Sequence, residues 1–304
     1  MRSLMTFAAA LLAASLFCHS VVAEESAALP LAPTAAKAKV QLDAVVAYGA
    51  APFTNPIQWT IIRPVSQQYP QEQVLLTQTA VSPTFDMAPG RYIVRATHDA
   101  MTVSQDLIVP EGTSRHTINF NAGNITLSMI PHTGGSMIAS NILWEVYEYR
   151  KGGLTEDAKI ATAMAPSHHF MLAAGAYVVR ASYNGTTADL VIPLDPGRTY
   201  QYTINLYAGT VGLSAVSEGG GNIGEGVVYE IYKAALDDTG QRPLVGTYNG
   251  DTKDVLLREG SYLLVARDGN GMRGEVPFAV SAGENAKIKV TLKPALASGT
   301  ATSG

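Results

Sequence analysis

The sequence predicts an all-β protein built of three tandem seven-stranded antiparallel β-sandwich modules. Trp59, Trp144 and Tyr229 stand 85 residues apart, and so do Gly90, Gly175 and Gly260, each followed two residues later by a tyrosine. A fixed period of that size is the mark of a repeated structural unit. Short alternating apolar runs fill each repeat, and none sustains a helical period. An apolar content of 47% with 28 Gly and 16 Pro suits a folded, turn-rich chain rather than a disordered one.

The elements follow in order. The opening strand carries Val40 and Leu42, matched by Ile125 and Leu127 and by Val211 and Leu213, and a loop rich in Gly, Pro and Ser comes after it. In the second strand Ile57, Trp59 and Ile61 share one face, as do Ile142, Trp144 and Val146, then Val227, Tyr229 and Ile231. Such alternation marks a strand with one buried face. A short strand around Val74 to Gln78 precedes Phe85-Asp86-Met87, whose counterparts are Phe170-Met171-Leu172 and Val255-Leu256-Leu257. The sharpest local signal is Gly-x-Tyr-x-x-x-Ala at Gly90 to Ala96, Gly175 to Ala181 and Gly260 to Ala266. Glycine there suits a turn of positive φ, and the tyrosine can bury its ring while its hydroxyl bonds back to the turn. Two last strands close each module, ending at Phe120, Leu206 and Leu292.

Seven such runs in about 85 residues read as a small antiparallel sandwich. At these residues the chain resembles the transthyretin-like sandwiches, which include carboxypeptidase regulatory-like domains and the prealbumin-like repeats of bacterial surface and periplasmic proteins. The resemblance implies an architecture more than an activity. Some members of that group cross-link themselves through an isopeptide bond between Lys and Asn or Asp in an apolar core. The resemblance places Lys39 at such a strand position, where the other modules have Asn124 and Thr210.

Residues 36–121, 122–207 and 208–293 are the expected modules. Before them, residues 1–23 read as a signal peptide: Arg2, an apolar stretch from Met5 to Phe17, and Val21-Val22-Ala23 before Glu24. Residues 24–35 are then a linker and 294–304 a disordered tail. The apolar stretch falls short of the ~20 residues that span a bilayer, so a chain that is not membrane-spanning, periplasmic or secreted, is expected. Cys18, the single cysteine, lies in the segment to be removed. Disulfides are thereby excluded, and bulky Phe17 before Cys18 argues against a lipid-attachment site. Loss of Arg2 moves the formal charge from −4 to −5, which leaves no basic footprint for nucleic acid. The junctions Phe120 to Asn124 and Leu206 to Thr210 are too short and too poor in Gly and Ser for flexible linkers. They predict a semi-rigid rod on the order of 100 Å long.

Catalytic and metal motifs fare poorly. Gly219-Gly220-Gly221-Asn222-Ile223-Gly224 satisfies the dinucleotide fingerprint as a string, but a strand rather than a helix follows it, so a glycine-rich turn is the better reading. Adjacent His168 and His169 would point to opposite faces of a strand, and no Cys or His ligand set has the spacing of a metal site. Asp237-Asp238-Thr239-Gly240 offers too few oxygens for calcium. No serine stands in a nucleophile elbow. The sequons at Asn124 and Asn184 matter only in a eukaryotic source. A non-enzyme without cofactors is expected.

One surface feature remains. Ile62, Tyr147 and Tyr232 occupy outward positions of the second strand, Tyr149 joins them, and Arg95 and Arg180 point outward on the Gly-x-Tyr strand. Exposed aromatics beside arginine suit an envelope protein or glycan partner; the competing reading packs these side chains under long loops or a neighbouring module. The sequence thus implies an exported binding or scaffolding protein of a bacterial envelope. A carbohydrate-binding array and an accessory subunit of an envelope hydrolase or secretion machine are the alternatives.

Overall fold

A computed structural model describes residues 37–294 apart from Tyr69, Gly224, Glu225 and Asp251. The expected signal peptide and cleavage site, Cys18, the expected linker to residue 35 and residues 295–304 lie outside the described residues. Pro294, expected in the tail, belongs to the last strand.

The described residues are almost entirely β, with one short 3-10 turn at Glu156–Ala158. The first strand set comprises β1 (Ala38–Val45), β2 (Ile57–Arg63), β3 (Gln73–Ala80), β4 (Thr84–Met87), β5 (Gly90–His98), β6 (Met101–Val109) and β7 (Thr113–Asn119). The second comprises β8 (Ala122–Ile130), β9 (Ile142–Glu148), β10 (Lys159–Ala165), β11 (His168–Ala173), β12 (Gly175–Tyr183), β13 (Thr186–Leu194) and β14 (Thr199–Asn205). The third comprises β15 (Ala208–Ser217), β16 (Val228–Lys233), β17 (Leu244–Asn249), β18 (Thr252–Arg258), β19 (Gly260–Arg267), β20 (Met272–Val280) and β21 (Asn285–Pro294).

In the first set the sheets run β4-β1-β7 and β3-β2-β5-β6, and the second set repeats that order. The third has the same neighbours, but Met272 and Arg273 of β20 also pair with β21, joining both sheets into one of seven strands. The expectation of a wholly antiparallel sandwich needs correction, because β1 and β7, β8 and β14, and β15 and β21 pair in parallel. A parallel partner requires a long crossover, and the path through the other five strands supplies it. In consequence the chain leaves each set at the end opposite to the one where it came in.

Each set encloses its own core. Trp59, Trp144 and Tyr229 are fully buried at equivalent positions, and the two indoles donate to the carbonyls of Ala80 and Ala165 at 2.9 Å. Burial of such rings is the largest single contribution a small sandwich can draw on. Corner tyrosines behave alike: Tyr92, Tyr177 and Tyr262 donate to the carbonyls of Ala88, Ala173 and Arg258 at 2.9, 2.6 and 2.7 Å. The expected positive φ at the glycine before them is met in two of the three copies. Positive φ occurs at Gly90 and Gly260 but not at Gly175. At Gly175 the ring folds back so that a methyl group would stand 3.4 Å from Tyr177 Oη.

The two junctions are built identically. Asn119 and Asn205 accept, through Oδ1, the backbone N–H two residues on, which holds Asn121 and Tyr207 at φ 47° and 48°. Side-chain amides of this kind stabilise the left-handed conformation. Ala122 and Ala208 follow, buried against the core of the preceding set. Their N–H groups reach back to Val46 and Pro131, and their carbonyls accept from Gly197 and Gly283. Asn121 and Tyr207 in turn accept from Ala174 and Glu259. At Gly123 and Gly209 a methyl group would lie 2.5 Å from a backbone oxygen, so only glycine fits.

Candidate functional site

The residues singled out in the sequence lie on or beside the tryptophan strands, their third-set counterpart β16, and the Gly-x-Tyr strands. Arg95 lies opposite Thr60 and Ser104, and its Nε reaches Ser104 Oγ at 3.3 Å. Arg180 lies between Glu145 and Asp189 and forks onto both Asp189 oxygens at 2.8 Å. Tyr232 is half-buried and donates to Glu230 at 3.0 Å; that bond, and then burial, raises its pKa. Tyr149 is exposed, just beyond the end of β9.

Tyr147 and Ile62 are not exposed, which corrects the expected stripe. Only 2% of Tyr147 is accessible, since the connection from β9 to β10 folds over it and brings Leu154 and Ala158 against the ring, with Val178 beside it. Lys159, bridged to Glu145 at 3.1 Å and Glu156 at 2.6 Å, holds its ammonium over the ring, 5.9 Å from the centroid. Ile62 is 1% accessible. The predicted residues therefore fall on the faces of three separate strand sets and do not converge. Lys39 is exposed, paired across the strands with Asp86, and not set in an apolar core.

The clearest concave features lie elsewhere, where consecutive strand sets meet. In each set the edge strand after the tryptophan strand bulges at one position: Leu75, Ile160 and Val245 are the extra residues, 85 apart. Bulges turn an edge away from strand addition. Ile160 and Val245 each line a cleft beside the corner tyrosine, closed on the far side by the β-hairpin of the preceding set. The hairpin residues are Asp99 to Thr102 in the first cleft and Gly185 to Thr187 in the second.

These two clefts share a design and differ in volume, about 700 Å³ between the first and second sets against about 270 Å³ between the second and third. Two groups bridge the smaller one between the sets, and a third fills it from within the third set. Thr186 donates to Leu256 O at 2.8 Å, Arg258 reaches Thr187 O at 3.4 Å, and Lys233 donates to Tyr262 Oη at 3.1 Å. In register with these stand Met101, Ala173 and Glu148, none of which can make the same contact. The larger cleft accordingly keeps apolar walls, Met101, Ile160 and Met171 among them, with Glu148 and Asp99 at its rim. His168 also lines it; burial, and then His169, depresses its pKa, so it is neutral at pH 7.

Sequence reasoning missed this cleft, yet a signal was present. Asp86, Met171 and Leu256 are in register, and the outward position becomes apolar only where a preceding set covers it. Met171 packs on the first core and Leu256 on the second, while Asp86 faces solvent. A polar outer face on a terminal repeat is what a stacked array requires.

A shallower depression of about 520 Å³ crosses the third set, bordered by Glu230, Tyr232, Arg242, Arg267, Arg273 and Glu275. Arg267 pairs with Glu230. The Asp237 turn uses its own carboxylate: Oδ1 accepts from Thr239 N, Thr239 Oγ1 and Gln241 N, which lowers its pKa. His168 stacks edge-on against Phe170, while His169 takes the other face of the strand. Among the described residues no group of three His, Cys, Asp or Glu could hold a metal ion, and no helix is long and apolar enough to cross a membrane.

No protein-family model matches the sequence, and no curated protein sequence matches it. Among solved structures the chain is similar to the TIE protein of Bacillus anthracis, at 13% identity and a TM-score of 0.26, over 85% of this chain and 51% of that one. It is also similar to a streptococcal ancillary pilin, at 12% identity and a TM-score of 0.32, over 85% of this chain and all of that one. The minor pilin GBS52 of Streptococcus agalactiae matches 59% of this chain at 13% identity and a TM-score of 0.33. The chain spans about half the length of the TIE protein. Scores this low carry no argument about activity or partners; the class of protein defined by the strands themselves is an all-β sandwich protein with a repeated strand order.

Proposed function

We propose that the chain is an exported, non-catalytic binding or scaffolding protein of a bacterial cell envelope, with residues 36–121, 122–207 and 208–293 as three sandwich modules held in a semi-rigid rod. The observation that carries this reading is the pair of junctions. Each is tied by the same backbone hydrogen bonds and by a glycine in close approach to backbone, so neighbouring modules have little freedom to swivel. A rod with fixed joints holds two partners, or a partner and a surface, at a set distance. The leader-like sequence at residues 1–23 supports export, to the periplasm or beyond.

Small-angle scattering on the purified mature chain tests the rod. A narrow distance distribution with a maximum on the order of 100 Å is expected, and a broad one typical of freely jointed modules would overturn it. Cell fractionation with N-terminal sequencing tests export: the mature chain should begin at Glu24, and a chain retained in the cytoplasm, or blocked at an acylated Cys18, would retire that part. The polar depression on the third set favours a second reading, a glycan partner, because a tyrosine flanked by forked guanidiniums and carboxylates suits sugar hydroxyls.

A further inference from the structure

We propose that the depression on the outer face of the third strand set binds a uronic-acid residue of an acidic polysaccharide, with its carboxylate on Arg242 and its ring in the space beside Tyr232.

In the second set the matching space is filled. Leu154 and Ala158, on the connection from β9 to β10, pack on Tyr147. The connection from β16 to β17 has the same length, and the residues in register are Thr239 and Pro243, both exposed. Thr239 is held in the Asp237 turn instead, its N–H and Oγ1 donating to Asp237 Oδ1 at 2.9 and 2.6 Å. Asp237 N closes the same turn on Gln241 O at 2.8 Å. A loop tied to itself in this way does not settle on the ring, so Tyr232 stays half-buried and about 520 Å³ is left open beside it. That is the size of a small-molecule site. Leu263 and Val265 of β19, paired across the strands with Tyr232 and Glu230, supply its apolar floor.

The same change of residues frees one cation. In the second set Asp157 accepts from Arg150 at 2.6 Å; at those two positions the third set has Arg242 and Ala235. Arg242 is exposed at the rim of the depression and has no hydrogen-bond or ion-pair partner among the described residues. The other charges there are matched to one another, Arg267 with Glu230 and, at 3.8 Å, Arg273 with Glu275. Three guanidiniums against two carboxylates leave one positive charge, which calls for a ligand with one carboxylate, held by the forked hydrogen bonds a guanidinium makes. Glu230 and Glu275 keep lone pairs for hydroxyl donors. The Tyr232 ring with Leu263 and Val265 offers apolar area to a C–H face. One carboxylate, several hydroxyls and a C–H face on a single six-membered ring are the features of a uronic acid. Because the depression lies open on an outer sheet face, the rest of a polymer can run past it on either side.

This inference rests on the glycan reading and narrows it to an acidic sugar held by Arg242. The test titrates the purified mature chain with trigalacturonate, and separately with its neutral methyl ester, while the Val265 methyl and Arg242 Nε–H signals are followed by NMR. Saturable shifts of both signals with trigalacturonate are expected. The ester should bind about tenfold more weakly or worse, and the Arg242→Gln chain should lose about as much for the acid while binding the ester as the wild type does. No saturable shift with either sugar would overturn both the proposal and the glycan reading. Equal binding of the ester, or unchanged binding of the acid by Arg242→Gln, would overturn the proposal and leave the glycan reading standing. Equal shifts with acetate, or with the peptide acetyl-Ala-Asp-Ala-amide, would show a carboxylate site indifferent to the sugar and overturn the uronic-acid part.

Discussion

Replacing Tyr147 with Ser should destabilise the second strand set, whereas the same change at Tyr149 should leave it unaltered. The two tyrosines are two residues apart, and sequence alone places both on an outward face. Tyr147 is 2% accessible and Tyr149 47%. A buried aromatic side chain removes about 150–200 Å² from water, which at ~25 cal/mol per Å² amounts to about 4 kcal/mol. Leu154 and Ala158 lie on a loop that can settle into part of the space left by the ring, so the net loss should fall to roughly 2–3 kcal/mol. For a unit of this size that corresponds to a drop of about 10–20 °C in its transition. Tyr149→Ser should stay within about 0.5 kcal/mol. Calorimetry on both variants, with urea unfolding as a second measure, decides the matter. Equal melting of Tyr147→Ser and the wild type would refute the packing of the loop over this face.

Trp144→Ala should cost about 3–5 kcal/mol and unfold the second set first; native-state quenching of both tryptophans by acrylamide would contradict their burial. Gly209→Ala places a methyl group 2.5 Å from the carbonyl oxygen of Ser281, and should cost about 1–3 kcal/mol; protease nicking near Tyr207 should rise, and an unchanged digestion pattern would count against a close-packed junction. Asp43 is buried, which pushes its pKa up, but hydrogen bonds from Arg115 and Ser82, the latter 2.5 Å long, outweigh burial and lower it. A depressed carboxylate contributes stability that is present above the ordinary aspartate range near 3.9 and is lost as pH falls through the native value. The first set should therefore weaken in acid, and Asp43→Asn should flatten that dependence; an identical pH profile for the variant would exclude Asp43 as its source.

Much of the architecture was legible because it is periodic. Alternation at Ile57, Trp59 and Ile61 and its two copies marks the buried face of a strand, and each of these residues is inaccessible in the folded chain. The corner tyrosines were equally readable, since a ring two residues after a turn has one place to go. The parallel pairing of first and last strands was not, because a run of alternating residues carries no direction relative to its partner.

Local pattern also determines which face a residue occupies, and only the tertiary structure decides what covers that face. Tyr147 and Tyr232 share a register, yet the loop bearing Leu154 and Ala158 seals the first and leaves the second half-open. The same limit hid the cleft beside Tyr177. Its volume depends on whether residues distant in sequence, Thr186 and Arg258 in one junction and Met101 and Ala173 in the other, can reach across a gap that forms only when two strand sets stack. Composition and spacing determine the repeat and its cores because those contacts stay within one period. The site between repeats belongs to the tertiary structure because its groups are brought together by stacking alone.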